Sequence, residues 1–261
     1  MLELGLHSSM YKHVACLVRK PDLSHEAFVE YWQSNHTPIA RDIEGVVRYH
    51  TVVPTDPANA EFDGLAELYF ESLEDLQDAL GSSGSRDYDP SKEVAARARE
   101  DVDNFLAVAE RPRLIGEETI QRDETGGDTT GLYKHSAFLV RQEGMTHEEF
   151  VEYWQSNHTP IAREIEGVVR YATVIPTDPE HAEFDGVAEL YFETLEDLHA
   201  ALGSPGSRDY DPTREVAARA REDVDNFLAI DRRPRFIGRE TVQVDRTGAT
   251  DDPGAPNHSE E

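Results

Sequence analysis

A histidine on the apolar face of a predicted helix is the residue of this chain best suited to chemistry. His36 follows Trp32 by one helical turn and precedes Pro38, whose ring frees a backbone carbonyl of the helix. The imidazole is therefore expected in a mostly apolar pocket, where burial favours the neutral form that accepts a proton or binds a metal. The same arrangement returns at His158. We predict that both histidines act as general acids or bases on a ligand; the alternative is a core histidine satisfied by a backbone carbonyl.

Aromatic residues around these histidines could bind a planar ligand. Rings on the helix of His36 would stack on such a ligand, and tyrosines in the strands would offer phenol donors. The competing interpretation places the helix rings in the core and the strand hydroxyls at the rim of a sheet. His13 and His135 open the first strand of each half, where solvent exposure is expected. The aromatic candidates are Tyr31, Trp32, Tyr49 and Tyr69, with Tyr153, Trp154, Tyr171 and Tyr191 in the second half.

The second half of the chain repeats the first. Residues 11–121 align with residues 133–243 at a constant offset of 122, without a gap, and 85 of the 111 positions are identical. Two structural units of one fold are therefore predicted. His50 aligns with Ala172, so a chemistry common to both halves cannot depend on it. The remaining segments are an N-terminal extension at 1–10, a linker at 122–132 and an acidic tail at 244–261, the last expected to be disordered.

The pattern of each unit predicts β-α-β-β-α-β with one extra helical piece. Apolar residues at steps of three and four indicate helices, and short β-branched runs that end at turns indicate strands. Ser24 is the expected N-cap of the first helix, and Pro38 is expected to kink that helix just after His36. In the first unit the predicted strands are 13–19, 46–53, 65–71 and 114–121, and the predicted helices are 25–43, 73–80 and 90–106.

This order is the α+β, ferredoxin-like arrangement, a four-stranded antiparallel sheet with helices on one face. The other face needs a partner. Because eleven extended linker residues span about 36 Å, the two units of one chain can pair sheet to sheet. We predict this intrachain pairing; pairing between two chains is the rival arrangement.

The charge of the chain limits the classes of partner and the cellular location to be expected. The net charge is −28, from 53 acidic and 25 basic residues, and the latter include only four lysines. This composition resembles cytoplasmic proteins of salt-accumulating halophiles, although simple solubility also accounts for it. Nucleic acid and anionic membrane are excluded as partners because both need clustered Lys and Arg. The sequence shows neither a transmembrane segment nor a signal peptide, and the single cysteine, Cys16, excludes an internal disulfide, so a cytoplasmic protein is expected.

Two segments give the chain a family resemblance. Residues 28–40, with His36-Thr-Pro38, return nearly verbatim at 150–162, and residues 101–105 return at 223–227. Together they resemble the EthD family, which carries a Tyr/Trp-rich first helix with a His-x-Pro motif and a later Asp-x-x-x-Phe stretch. The resemblance implies a dimeric α/β barrel, here intramolecular, with a small-molecule pocket between the sheet and the helices of each unit. It also adds site candidates: Asp101 and Asp223 as catalytic partners, and Asn104 and Asn226 as ligand-binding residues. Otherwise Asp101 would be a surface carboxylate near Arg97.

These observations favour a cofactor-independent enzyme. We predict proton transfer on a small apolar or aromatic carbonyl compound, of the isomerase, dehydratase or monooxygenase-like kind; the resemblance also fits an oxidoreductase. Zinc-ligand spacings, phosphate loops, dinucleotide fingerprints and nucleophile elbows are all missing from the sequence, so neither a cofactor nor a metal is expected. Two alternatives stay open: non-catalytic binding or sensing of a hydrophobic ligand or haem, and a structural assembly barrel. Further homo-oligomerisation is also open.

Overall fold

Each half of the chain folds into a β-α-β-β-α-β unit, as predicted. The computed structural model describes residues 10–85, 89–207 and 211–247. The strands are β1 Met10–Leu17, β2 Arg48–Pro54, β3 Gly64–Phe70, β4 Arg113–Asp123, β5 Tyr133–Leu139, β6 Val168–Pro176, β7 Gly186–Phe192 and β8 Arg235–Asp245. The helices are α1 His25–Tyr31, α2 Thr37–Ala40, α3 Leu73–Leu80, α4 Glu93–Asp101, α5 His147–Tyr153, α6 Thr159–Ala162, α7 Leu195–Leu202 and α8 Glu215–Asp223.

The first helical segment is divided by a π-helical turn. Ser24 caps α1 by accepting a hydrogen bond from the Ala27 amide, as its side chain predicts. The π-helical turn Trp32–His36 follows, and α2 then begins with Pro38 in its first turn, where a missing N–H removes no helical hydrogen bond. The expected kink is therefore a widened turn that ends at His36. The second unit repeats it at Trp154–His158.

The eight strands close into one antiparallel barrel, in the order β1-β3-β2-β8-β5-β7-β6-β4. Within each unit the strand order is ferredoxin-like, and the units join edge to edge: β2 pairs with β8, and β4 pairs with β6. Closure gives each described strand a neighbour on both sides. The predicted intramolecular dimeric α/β barrel is confirmed.

The edge pairing extends two strands beyond their predicted ends. β4 continues into the predicted linker because Asp123 pairs with Arg170 of β6. β8 likewise continues into the predicted tail, where Asp245 pairs with Arg48 of β2. Met10, assigned to the N-terminal extension, is the first residue of β1. Residues 1–9 and 248–261, which hold the rest of the extension and tail, lie outside the described residues.

The two faces of the sheet have different cores. Residues such as Ala15 and Leu68 face the helices and pack with Phe28 and Phe105. The opposite face forms the barrel interior, where buried apolar residues of both units, among them Val14, Cys16 and Phe138, meet each other. Further along the same strands the barrel interior holds the fully buried Lys12 and Lys134. In the described part of the chain, the helices are too short or too polar to cross a membrane.

Candidate functional site

The widened turn brings a histidine of the first helical segment against a carboxylate of the fourth helix. His36 Nδ1 lies 2.9 Å from Asp101 Oδ2. In the second unit His158 Nδ1 lies 2.9 Å from Asp223 Oδ2. The four residues predicted as catalytic thus form two identical His–Asp pairs. No ion pair joins Asp101 to Arg97 among the described residues, so the alternative surface pairing is not seen.

Two further side chains fix the carboxylate of each pair. The Tyr31 hydroxyl donates to Asp101 Oδ1 at 2.8 Å, and the Asn104 amide donates to the same oxygen at 3.0 Å. Burial by itself would raise the pKa of Asp101, but the hydrogen bonds from Tyr31, His36 and Asn104 outweigh it and lower the pKa. The carboxylate is therefore ionised at neutral pH. Tyr153 and Asn226 hold Asp223 in the same way.

The histidine of each His–Asp pair lines a cavity between the sheet and the helices. The first pocket contains His36 and the second contains His158; their empty space, part of which is open to solvent, is about 660 Å³ and about 670 Å³. Both are lined mainly by apolar side chains, which suits a small organic ligand. His13 and His135 also line the pockets; they are only 5% and 6% exposed, so their expected solvent exposure is wrong. Their side chains point to the helix face of the sheet, which the helices cover.

The pocket histidines are held in their neutral form. Burial lowers the pKa of His36, the contact with Asp101 partly opposes this, and Arg111 lowers the pKa further. The net direction is downward for both His36 and His158. Since the ordinary value is 6.5, the rings are neutral at pH 7. With Nδ1 bound to Asp101, Nε2 is the ring nitrogen left to accept a proton.

The aromatic residues predicted to bind a ligand lie on both sides of the sheet. Trp32 and Tyr49 line the first pocket, and their copies Trp154 and Tyr171 line the second. The Trp32 indole N–H donates to the Tyr49 hydroxyl at 3.2 Å. Burial raises the pKa of Tyr49 to about 12, so this phenol keeps its proton.

Tyr69 and Tyr191 do not line either pocket. They lie in the barrel interior, with Lys12 Nζ 4.8 Å from the centre of the Tyr69 ring and Lys134 Nζ 5.0 Å from that of Tyr191. Successive strand residues face opposite sides of a sheet, and it is the neighbour Leu68 that faces the pocket. The prediction that these two tyrosines bind the pocket ligand is wrong. Neither hydroxyl is at a sheet rim, because both residues are fully buried.

Sequence reasoning missed the arginines of the pockets. Arg99, Arg111 and Arg113 line the first pocket, and their copies line the second: Arg221, Arg233 and Arg235. The helical phase held a usable signal, because Arg99 follows the buried Ala95 by four residues and precedes the buried Val102 by three. Arg111 and Arg113 flank a proline just before the last strand of the unit, where no periodicity marks them.

The barrel interior contains the one cluster with metal-binding side chains in the described ranges. Ligand atoms of His50, Glu67 and Glu240 lie within 4.8 Å of one another. The ammonium of Lys134 lies between the carboxylates, 2.6 Å from Glu67 and 3.0 Å from Glu240. The positive charge that a metal would supply is therefore already present in a protein side chain.

Comparison with known proteins identifies the family and the fold. Two solved structures share the fold: an anthrone oxidase-like protein (12% identity, 93% of this chain and 97% of that chain covered, TM-score 0.59) and a variant of the chlorite dismutase from Candidatus Nitrospira defluvii (13% identity, 90% and 92% covered, TM-score 0.51). At these identities the likeness concerns the fold alone. Curated proteins of known function gave no match. The sequence profile of the EthD domain matches residues 20–109 and 142–231, more than half of the chain, so this protein belongs to the EthD family, with two domains in tandem.

Proposed function

We propose that this protein is a small-molecule enzyme whose two pockets transfer protons on a small apolar or aromatic carbonyl compound. One observation carries the proposal: His36 lines an apolar cavity while its Nδ1 lies 2.9 Å from the ionised Asp101. A histidine held by a carboxylate on one nitrogen and open to a ligand on the other is the arrangement of a general base.

The chemistry follows from the two nitrogens. Nε2 of His36 takes a proton from the carbon next to the carbonyl, and the electron pair of the broken C–H bond moves into an enolate. Asp101 stabilises the imidazolium that forms. Return of the proton to a different carbon isomerises the compound; delivery to a hydroxyl group lets that group leave as water, which is a dehydration. Both outcomes use the same first step.

The walls of the pocket favour a planar carbonyl compound. Trp32 offers an apolar face, and Tyr49 offers a phenol that stays protonated at neutral pH. Because the Tyr49 oxygen accepts from Trp32, its own proton can be donated to a carbonyl oxygen, where it would stabilise the charge of an enolate. The anthrone oxidase-like protein of similar fold suggests anthrone as a first probe.

The test is exchange of carbon-bound hydrogen with solvent. Anthrone and 2-tetralone are incubated with the protein in deuterium oxide, and loss of their acidic C–H protons is followed by NMR. These protons lie on the methylene next to the carbonyl in 2-tetralone and on the C10 methylene in anthrone, which is conjugated with the carbonyl through the aromatic rings. We expect acceleration over buffer by the wild type and its loss in the double variant His36→Ala plus His158→Ala.

The chain offers a matched control. His25 and His147 also contact aspartates, at 3.4 Å and 3.3 Å, but neither lines a pocket. Replacing both with alanine should leave the exchange rate unchanged. Equal rates in the wild type and the His36/His158 variant, or in the wild type and buffer, would contradict the proposed function.

A further inference from the structure

A second histidine faces each pocket from the sheet. His13 lies in β1 and lines the first pocket, whereas His36 reaches the same pocket from the helical side. His135 in β5 repeats this position in the second pocket. A ligand in either pocket therefore lies between two imidazoles, of which the proposed function uses only one.

The strand register places His13 level with the tyrosine of the first pocket. Leu68 of β3 pairs with His13 of β1 on one side and with Tyr49 of β2 on the other. Neighbouring strands lie about 4.8 Å apart, so the backbones of His13 and Tyr49 are about 10 Å apart across Leu68. All three side chains line the pocket. An oxygen atom of a ligand seated above Leu68 would therefore have a polar side chain on either side.

The second unit repeats this register and shows the charge state of the imidazole. Leu190 pairs with His135 on one side and with Tyr171 on the other. Burial lowers the pKa of His135 well below 6.5, and the nearby guanidiniums of Arg235 and Arg233 lower it further. The imidazole is therefore neutral at pH 7. It is a poor proton acceptor, but its N–H can donate a hydrogen bond.

The two histidines of one pocket thus have opposite electrostatic surroundings. His158 contacts the carboxylate of Asp223, which favours the protonated ring, whereas His135 has positive neighbours, which disfavour it. Surroundings that separate two titratable groups in this way make one the base and the other the electrophile. Those of His158 suit the first role, and those of His135 suit the second.

We infer that His13 and His135 are catalytic hydrogen-bond donors: the neutral imidazole of each donates its N–H to the carbonyl oxygen of the ligand, beside the hydroxyl of Tyr49 or Tyr171. This role rests on the proposed function, in which the base removes a proton from carbon. As the electron pair of the broken C–H bond moves into the enolate, negative charge forms on this oxygen, and two donors stabilise it. The imidazole keeps its own proton throughout, so the step needs no further proton acceptor.

The test uses 2-naphthol, whose naphtholate has the shape and charge of the enolate of 2-tetralone. The pKa of bound 2-naphthol is measured from its ultraviolet absorption as the pH is varied. We expect the wild type to lower this pKa below its value in water. The double variant His13→Leu plus His135→Leu should make bound naphthol about tenfold less acidic than in the wild type. The rate of 2-tetralone exchange should fall about a hundredfold in the same variant.

A second variant separates the hydrogen bond from the space that the ring fills. Glutamine retains an N–H donor, so His13→Gln plus His135→Gln should restore most of the acidity of bound naphthol and most of the exchange rate. His50→Gln is the matched control, because His50 is also a buried strand histidine but lies in the barrel interior, 3.1 Å from Glu240. It should change neither quantity.

Two results would overturn the inference. One is equal acidity of bound naphthol in the leucine and glutamine variants. The other is bound naphthol no more acidic than in water, or no saturable binding of it, in the wild type; this result does not depend on how the variants fold. Ketone exchange that depends on His36 and His158 would still stand in either case, so failure of the inference and failure of the proposed function are distinguishable.

Discussion

The barrel interior and the two pockets both contain buried ionisable side chains, but the arrangement of these side chains differs. In the barrel interior, carboxylates and cations of both units lie in contact, as in the 2.6 Å approach of Lys12 to Glu189. In the pockets, a carboxylate contacts a histidine that lines the cavity, as in the 2.9 Å approach of Asp101 to His36. Buried charges that match each other hold an architecture together. An imidazole that meets a carboxylate on one side and a cavity on the other suits chemistry on a ligand.

Inside the barrel, buried cations and buried carboxylates lie next to each other in nearly equal numbers. Lys12, Lys134 and Arg170 lie among four carboxylates, which belong to Glu67, Glu118, Glu189 and Glu240. Burial would lower the pKa of Lys134, yet Glu189, Glu240 and Glu67 outweigh it and raise the pKa well above its ordinary value. Burial would raise the pKa of Glu240, but Lys134 and then His50 lower it well below its ordinary value. Both groups are therefore charged in the folded protein.

Removing one interior cation should have the largest effect on stability. Lys134→Met leaves Glu67 and Glu240 buried without their common cation, so we expect a loss of about 3–5 kcal/mol in the free energy of unfolding. Urea denaturation measures it. Lys20→Met, in a loop outside the barrel, is the control and should change stability little. If Lys134→Met changed the free energy of unfolding as little as Lys20→Met does, the interior ion pairs would not contribute to stability.

Changing the carboxylate that contacts each pocket histidine should instead affect the reaction rate. Asp101→Asn plus Asp223→Asn keeps the shape of each pair but cannot stabilise an imidazolium, so the rate of ketone exchange should fall about a hundredfold. Thermal unfolding should shift little. The exposed Asp103 and Asp225, changed to asparagine, are the matched control. A fall in stability without a fall in rate would assign the pair to architecture.

An asymmetric position beside the buried charges of the barrel interior sharpens the comparison further. His50 Nδ1 lies 3.1 Å from Glu240 Oε1, whereas the copy of Glu240, Glu118, meets Arg170 at 3.9 Å. We expect His50→Ala to cost about 1–2 kcal/mol, because Glu240 loses a neighbour and a cavity forms.

The reverse change tests whether the asymmetry is fixed by packing. Ala172 is fully buried, so Ala172→His should overpack the interior and also destabilise, by about 1–3 kcal/mol. Urea midpoints of both variants give the answer. A neutral or stabilising Ala172→His would mean that the second half has room for the imidazole.

The smallest expected effect is on the pH dependence of stability. Burial, followed by Arg235 and Arg233, lowers the pKa of His135 well below 6.5 in the folded chain. Below pH 6.5 the unfolded chain takes up a proton that the folded chain refuses, so stability falls as the pH falls. Between pH 7.5 and 5.5 we expect this residue to account for about 1 kcal/mol.

The variant His135→Gln should reduce that loss, measured as the difference between urea midpoints at the two pH values. His181→Gln is the control, because the His181 side chain is 60% exposed. An unchanged pH dependence in His135→Gln would contradict the assignment.

Local patterns were enough to predict the units, and contacts distant in sequence were not. The cap at Ser24 and the break at Pro38 are read within a few residues, and the repeat identified the second unit. The contact of His36 with Asp101 joins residues 65 positions apart, and only the packing of α4 against α2 creates it. The pairing of edge strands between the two units cannot be seen in the sequence of one unit, so the predicted ends of β4 and β8 were too early. Tyr69 was misplaced because both faces of β3 are buried, which hides the alternation.

Joining both halves of the barrel through residues 124–132 makes its assembly independent of protein concentration. Separate halves would share the net charge of −28 and repel each other in dilute buffer. A short tether keeps the halves at an effective concentration of about millimolar, far above that of any enzyme in an assay. The protein should therefore keep both pockets at nanomolar dilution, where two subunits held together only by their edges would begin to separate.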